Sequence, residues 1–139
     1  MSKPTPPPNP HKDIIKAAKA GDCARIRDLI AEDASLLQVR DTDDSTLLHY
    51  AVWRGHPELV NLLLDMGADV NATSNNTHWG NTPLHAAAHG NQRAIAEVLL
   101  DHGADIHAEF GPGRTPLQET GVHKATAVAK LLKERGATR

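Results

Sequence analysis

The chain has 139 residues, 40% of them hydrophobic and only 3% aromatic, with a formal net charge of −2 and one cysteine. That length is one domain with enough apolar material for a core, and its interspersed, near-balanced charge argues against nucleic acid or an anionic membrane surface as the main partner. Cys23 alone excludes an intramolecular disulfide and suits a reducing, cytoplasmic compartment, and no stretch approaches the length of a membrane span.

Residues 1–11 open with Met-Ser-Lys-Pro-Thr-Pro-Pro-Pro, a proline-rich tail expected to stay extended or disordered. Its Pro4-Thr5-Pro6-Pro7 matches a PxxP ligand only weakly, and a solubilising leader is the favoured reading. From Lys12 to about Ala34 a helix pair is expected, with Ile14, Ile15, Ala17 and Ala18, a Gly21-Asp22 turn, then Ile26, Leu29 and Ile30. Lysines and arginines decorate this pair, as suits a terminal unit with one solvated face.

Three fuller units follow. Thr46-Leu47-Leu48-His49, Thr82-Pro83-Leu84-His85 and Thr115-Pro116-Leu117-Gln118 each read as a helix start, with a hydroxyl to accept orphan N–H groups and, in two units, a proline at the first helical position. A turn at Gly55, Asn91 or Lys124 ends each short helix, and asparagine is the other residue that tolerates the left-handed conformation glycine adopts freely. A second, amphipathic helix comes next in each unit, seen most clearly in Ile95, Val98 and Leu99 at i, i+3, i+4. In the last unit Glu119 is expected to face outward as part of a C-terminal cap, and Gly121 is expected to break the inner helix.

The register is fixed. Twenty-one residues separate Thr46 from Gly67, Thr82 from Gly103 and Thr115 from Gly136, and the threonines themselves lie 36 and 33 apart. A period of about 33 carrying T-P-L-H-x-A resembles the ankyrin repeat family, and the resemblance runs from about Lys12 to Ala137. It implies an all-α solenoid of stacked antiparallel helix pairs joined by β-turn or hairpin-like loops, with repeats at about 12–40, 41–72, 73–108 and 109–139 forming one domain, 12–139. The connection before Thr82 is about three residues longer than its counterpart before Thr115, giving an extended finger.

The resemblance also implies a function. In that family partner-contacting residues are the tips of the turn before each threonine and the two residues preceding the turn glycine, which line a concave groove. Matched here, the pairs are Trp53 and Arg54, His89 and Gly90, Val122 and His123; the turn tips include His78, Trp79, Asn81, Pro112 and Arg114. The implied partner-binding set is therefore Trp53, Arg54, His78, Trp79, Asn81, His89, Arg114 and His123, on a monomeric scaffold that takes an unidentified protein or peptide. Trp53 and Trp79 both fall where packing does not require them, and exposed tryptophan and arginine dominate binding hot spots. A local staple of Trp79 on Trp53 is the competing expectation.

Nine histidines raise metal chemistry. The motif accounts for His49 and His85 as structural rings that hydrogen-bond between neighbouring turns, whereas His78, His89 and His123 have no such explanation. No thiolate pair or His-x-x-x-His spacing supports a zinc site among them, so no metal site and no cofactor are assigned. A metal- or small-molecule-binding protein using these three is the alternative reading. No phosphate loop, G-x-S-x-G turn or Cys–His pair is present, and an enzyme is not expected.

Overall fold

In the computed structural model, residues 9–75 and 81–139 are described. They form eight α-helices: α1 (Pro10–Ala20), α2 (Cys23–Glu32), α3 (Leu47–Trp53), α4 (Pro57–Asp65), α5 (Pro83–His89), α6 (Arg93–Asp101), α7 (Pro116–His123) and α8 (Thr126–Glu134), with a short 3-10 helix at Ala34–Gln38. The odd-numbered helices pack on one another in sequence, the even-numbered helices do the same, and each pair is antiparallel across the two layers. The expected all-α stack of helix pairs is what forms. The proline-rich motif at 4–7 and most of the long finger, with His78 and Trp79, lie outside the described residues.

Each inner helix starts where its threonine predicts. Thr46, Thr82 and Thr115 are extended at φ −92°, −102° and −93°, and each hydroxyl accepts the N–H three residues on. The first unit uses Asn9 instead, capping Lys12, so α1 begins at Pro10 and takes in the end of the proline-rich segment. These short helices are too small to be stable alone. They are held by burial of Ile14, Leu48, Leu84 and their neighbours between the layers, with Leu59, Leu63, Ile95, Leu99, Leu131 and Leu132 entering from the outer helices. In α5 every residue from Pro83 to Ala88 is buried, and its three alanines let helices on both sides approach closely.

The motif histidines join one repeat to the next. His49 Nδ1 lies 2.8 Å from Thr46 Oγ1, and its Nε2 lies 2.9 Å from the carbonyl of Asn81, the residue before the next threonine. His85 repeats this with Thr82 Oγ1 at 2.7 Å and the Arg114 carbonyl at 2.9 Å. A carbonyl can only accept, so Nε2 carries the proton and Nδ1 takes the threonine hydroxyl: both rings are neutral. Burial lowers both below the ordinary value of 6.5, with the hydrogen bond to the carbonyl opposing that shift.

Loop contacts reinforce the seams. Antiparallel bridges at Arg40 with Thr46 and Phe110 with Arg114 close two of the hairpin-like connections. Ser45 and Ser74 hydroxyls meet at 2.6 Å, and Arg40 reaches the Thr73 carbonyl at 2.9 Å. Turn chemistry also follows the sequence: Asn91 takes φ 51° and its side chain accepts from Val128 N, while Lys124 is held at φ 54°, a conformation costly for a residue with a Cβ. Gly21 is required twice over, for φ 71° and because a Cβ there would lie 2.6 Å from His56 Nδ1, the ring whose Nε2 donates to the Lys19 carbonyl.

One expectation fails. Gly121 does not break the last inner helix, which runs continuously through it to His123, because Thr120 and Glu119 on either face are buried and tie that turn to the stack.

Three outcomes are expected. As pH falls through about 6.5 the unfolded chain protonates His49 and His85 before the folded chain does, so stability is full above that pH and declines below it until the folded rings protonate, with a limiting slope of roughly 1.4 kcal/mol per pH unit for each ring. Urea midpoints at pH 7.5 and 5.5 should show the decline, and the double variant His49→Gln, His85→Gln should flatten it. Glutamine keeps the threonine bond, as Gln118 does at Thr115, but not the carbonyl bond, so each variant should lose about 1–2 kcal/mol at pH 7.5. Lys124→Gly should gain about 1 kcal/mol by relieving the left-handed backbone, measured by thermal unfolding; no gain would mean the lysine is held by contacts that glycine loses.

Candidate functional site

Counting from each capping threonine, the inner helices carry two stripes with opposite directions. The residues three and seven positions on lean toward the following repeat: His85 reaches Arg114, and His89 meets α7. The residues four and eight positions on lean toward the preceding repeat: Tyr50 receives Lys19 over its ring at 5.1 Å, and Glu119 and His123 meet α5. At every seam, side chains of one stripe therefore face those of the other, because residues three or four apart share a helix face.

The expected site residues distribute along this surface. Trp53 lies seven after Thr46 and is half-buried, not free of packing as the sequence suggested: its ring stands edge-on to Tyr50 at 5.3 Å and leans on His49 at 5.5 Å. Arg54 beside it is exposed. Asn81 is also partly structural, since its amide donates to the Ser74 carbonyl at 2.8 Å and its own carbonyl accepts from Ser74 N and from His49. Arg114 is exposed, lies 5.7 Å from the Phe110 ring centre, and Phe110 in turn packs edge-on to His85 at 4.8 Å. Val122, in the same register as Trp53 and His89, is the most exposed large apolar side chain described, at 59%.

The tightest gathering is at the seam between α5 and α7. His89 Nδ1 and His123 Nε2 are 2.9 Å apart, His123 Nε2 is 3.0 Å from Glu119 Oε1, and that oxygen is 3.7 Å from His89 Nδ1. Glu119 faces this cluster instead of solvent, and its Oε2 is buried without a hydrogen bond, with the Arg114 guanidinium 3.7 Å away. Sequence reasoning paired His89 with His123 and with His78, which lies outside the described residues; it missed Glu119 by facing it toward a following repeat. Spacing alone carried no signal of that direction. Glu119 stands four after its threonine, as Tyr50 does, and Tyr50 also turns back toward the preceding unit.

The sequence profile of the Ankyrin repeat family matches residues 43–75 and 79–109. Among similar curated proteins, the "Serine/threonine-protein kinase VIK" of Arabidopsis thaliana is 44% identical over 71 residues, 51% of this chain and 16% of that protein. "Ankyrin repeat domain-containing protein 49" of Homo sapiens is 38% identical over 66 residues, 48% of this chain and 28% of that protein. "Ankyrin repeat and MYND domain-containing protein 1" of Mus musculus is 38% identical over 73 residues, 52% of this chain and 8% of that protein. The chain thus spans less than a third of the length of each relative, and the shared stretch is the repeats. Among the described residues no helix is long and apolar enough to cross a membrane. The periodic threonine and histidine bonds, the two-layer stack and the family match agree: the chain belongs to the ankyrin repeat proteins, whose repeats generally mediate protein–protein interaction.

Proposed function

We propose that this chain is a non-catalytic interaction module that binds a protein or peptide through the face formed by the ends of α3, α5 and α7. The observation that carries this reading is the row of variable residues at one register: Trp53, His89 and Val122, flanked by the exposed Arg54 and His123 and by Arg114 on the adjoining loop. An aromatic ring, a guanidinium and an exposed aliphatic group on a surface of buried, pre-ordered helices are the ingredients of a binding hot spot. The stack is already ordered, which limits the entropy lost on association.

The register suggests why Trp53 is the anchor. Its stripe faces the positions of Ala86 and Gly90 in the next repeat, the smallest residues at any seam. Partner chemistry would be mixed, with an apolar residue against Trp53 and Val122 and a carboxylate for Arg54 or Arg114.

Because Trp53 also packs on Tyr50 and His49, the cleaner test uses exposed residues. Arg54→Glu combined with Val122→Arg should leave helical circular dichroism unchanged and weaken capture of the partner from cell extract by about 30-fold or more, the equivalent of roughly 2 kcal/mol. An unchanged set of captured proteins would move the working surface elsewhere on the chain.

A further inference from the structure

The geometry points to a divalent transition-metal site, suited to Zn²⁺, formed by His89, Glu119 and His123 across the seam between the third and fourth repeats. Three donor atoms, one from each residue, converge: His89 Nδ1, His123 Nε2 and Glu119 Oε1, with mutual separations of 2.9, 3.0 and 3.7 Å. For metal–ligand bonds of about 2.0–2.2 Å, a tetrahedral site separates its donors by about 3.3 Å. The triangle already has that size. Two imidazoles and one carboxylate favour zinc or a neighbouring first-row ion over Ca²⁺ or Mg²⁺, which take oxygen donors almost exclusively.

Hydrogen bonding inside the cluster does not use these atoms fully. His123 Nε2 has room for one proton and two acceptors at nearly equal distance, so a single N–H cannot serve both His89 Nδ1 and Glu119 Oε1 well. The glutamate is the second observation. It is 4% exposed, sits where the two preceding repeats place tyrosine and alanine, and keeps one buried oxygen with no hydrogen bond. A carboxylate is costly to bury in this way, and a cation held through Oε1 offsets that cost while Arg114 remains on the Oε2 side.

The ring atoms come from different helices, α5 and α7, and the two histidine side chains are 20% and 32% exposed. Both rings thus keep some solvent access, and three-ligand zinc sites take water or an outside ligand at their fourth position. Binding would clamp the fourth repeat to the third. It would also take His89 and His123 out of direct contact with a partner, so the site goes beyond the interaction reading and does not depend on it.

The test is a Zn²⁺ titration of the full chain, stripped of metal and without any partner, by calorimetry and thermal unfolding. One saturable equivalent is expected, with a rise in Tm of roughly 10 °C at a hundredfold excess over Kd. Glu119→Gln and His123→Ala should each weaken that equivalent by at least about a hundredfold, since lost supporting groups alone cost 10–100-fold. In the wild-type chain, zinc should shift the imidazole NMR signals of His89 and His123 while leaving those of His56 and His102 unmoved, a readout that needs no variant to fold. Absence of a saturable equivalent, equal affinity in the variants, or shifts centred on other histidines would overturn the site.

Discussion

A neutral imidazole that bonds in two directions holds this stack in register. Within its own repeat His49 or His85 accepts from the capping threonine; across the seam it donates to the carbonyl that precedes the next threonine. Helix start and repeat spacing are thus fixed by one side chain. The ring must be unprotonated to accept at Nδ1, and burial enforces that state. A lysine or arginine could not substitute, having no acceptor, and a glutamine spans only the local half, as Gln118 does with Thr115.

Around that bond each seam adds contacts suited to its neighbours. The outer turn residue of one repeat returns to the inner helix of the repeat before it: His56 reaches the Lys19 carbonyl at 2.9 Å, and Gln92 reaches the Val52 carbonyl at 2.7 Å. At the last seam the same position is Ala125, which has no side chain to reach back. There Asn91 reaches forward to Val128 N, and the His89–Glu119–His123 cluster lies on the inner face. This last seam keeps the His85 bond to the Arg114 carbonyl, lacks the outer-turn bond, and gathers three titratable side chains. Ionisable side chains there stand beside the motif bond.

Much of the fold was legible because its determinants are local. Threonine caps, a proline at the first helical turn and left-handed residues at 21, 55, 91 and 124 act within a few residues of themselves, and sequence spacing reports them faithfully. The site was harder to read. Whether residue four of a helix faces the repeat before or after it depends on the rotation of that helix within the stack, which spacing does not encode. Glu119 was accordingly turned the wrong way, while His89 and His123 were singled out for lack of any motif role. Asn81 and Trp53 show the complementary difficulty: both occupy variable positions, yet one ties down the long connection and the other covers Tyr50 and His49.

Trp53 shows how packing and binding share one side chain. Its contact with His49 leans on the ring that sets the repeat spacing, so a partner that touches the indole acts indirectly on the seam. At the next seam the equivalent residue is His89, whose neighbours are polar instead of small. One stripe of the inner layer thus passes from aromatic, to ionisable, to aliphatic at Val122 within three repeats. A ligand that spans all three must match that order, whereas one that touches a single repeat meets only one of them. Specificity in such a surface comes from the sequence of neighbours along the stack, which the rigid helix spacing converts into a fixed pattern in space.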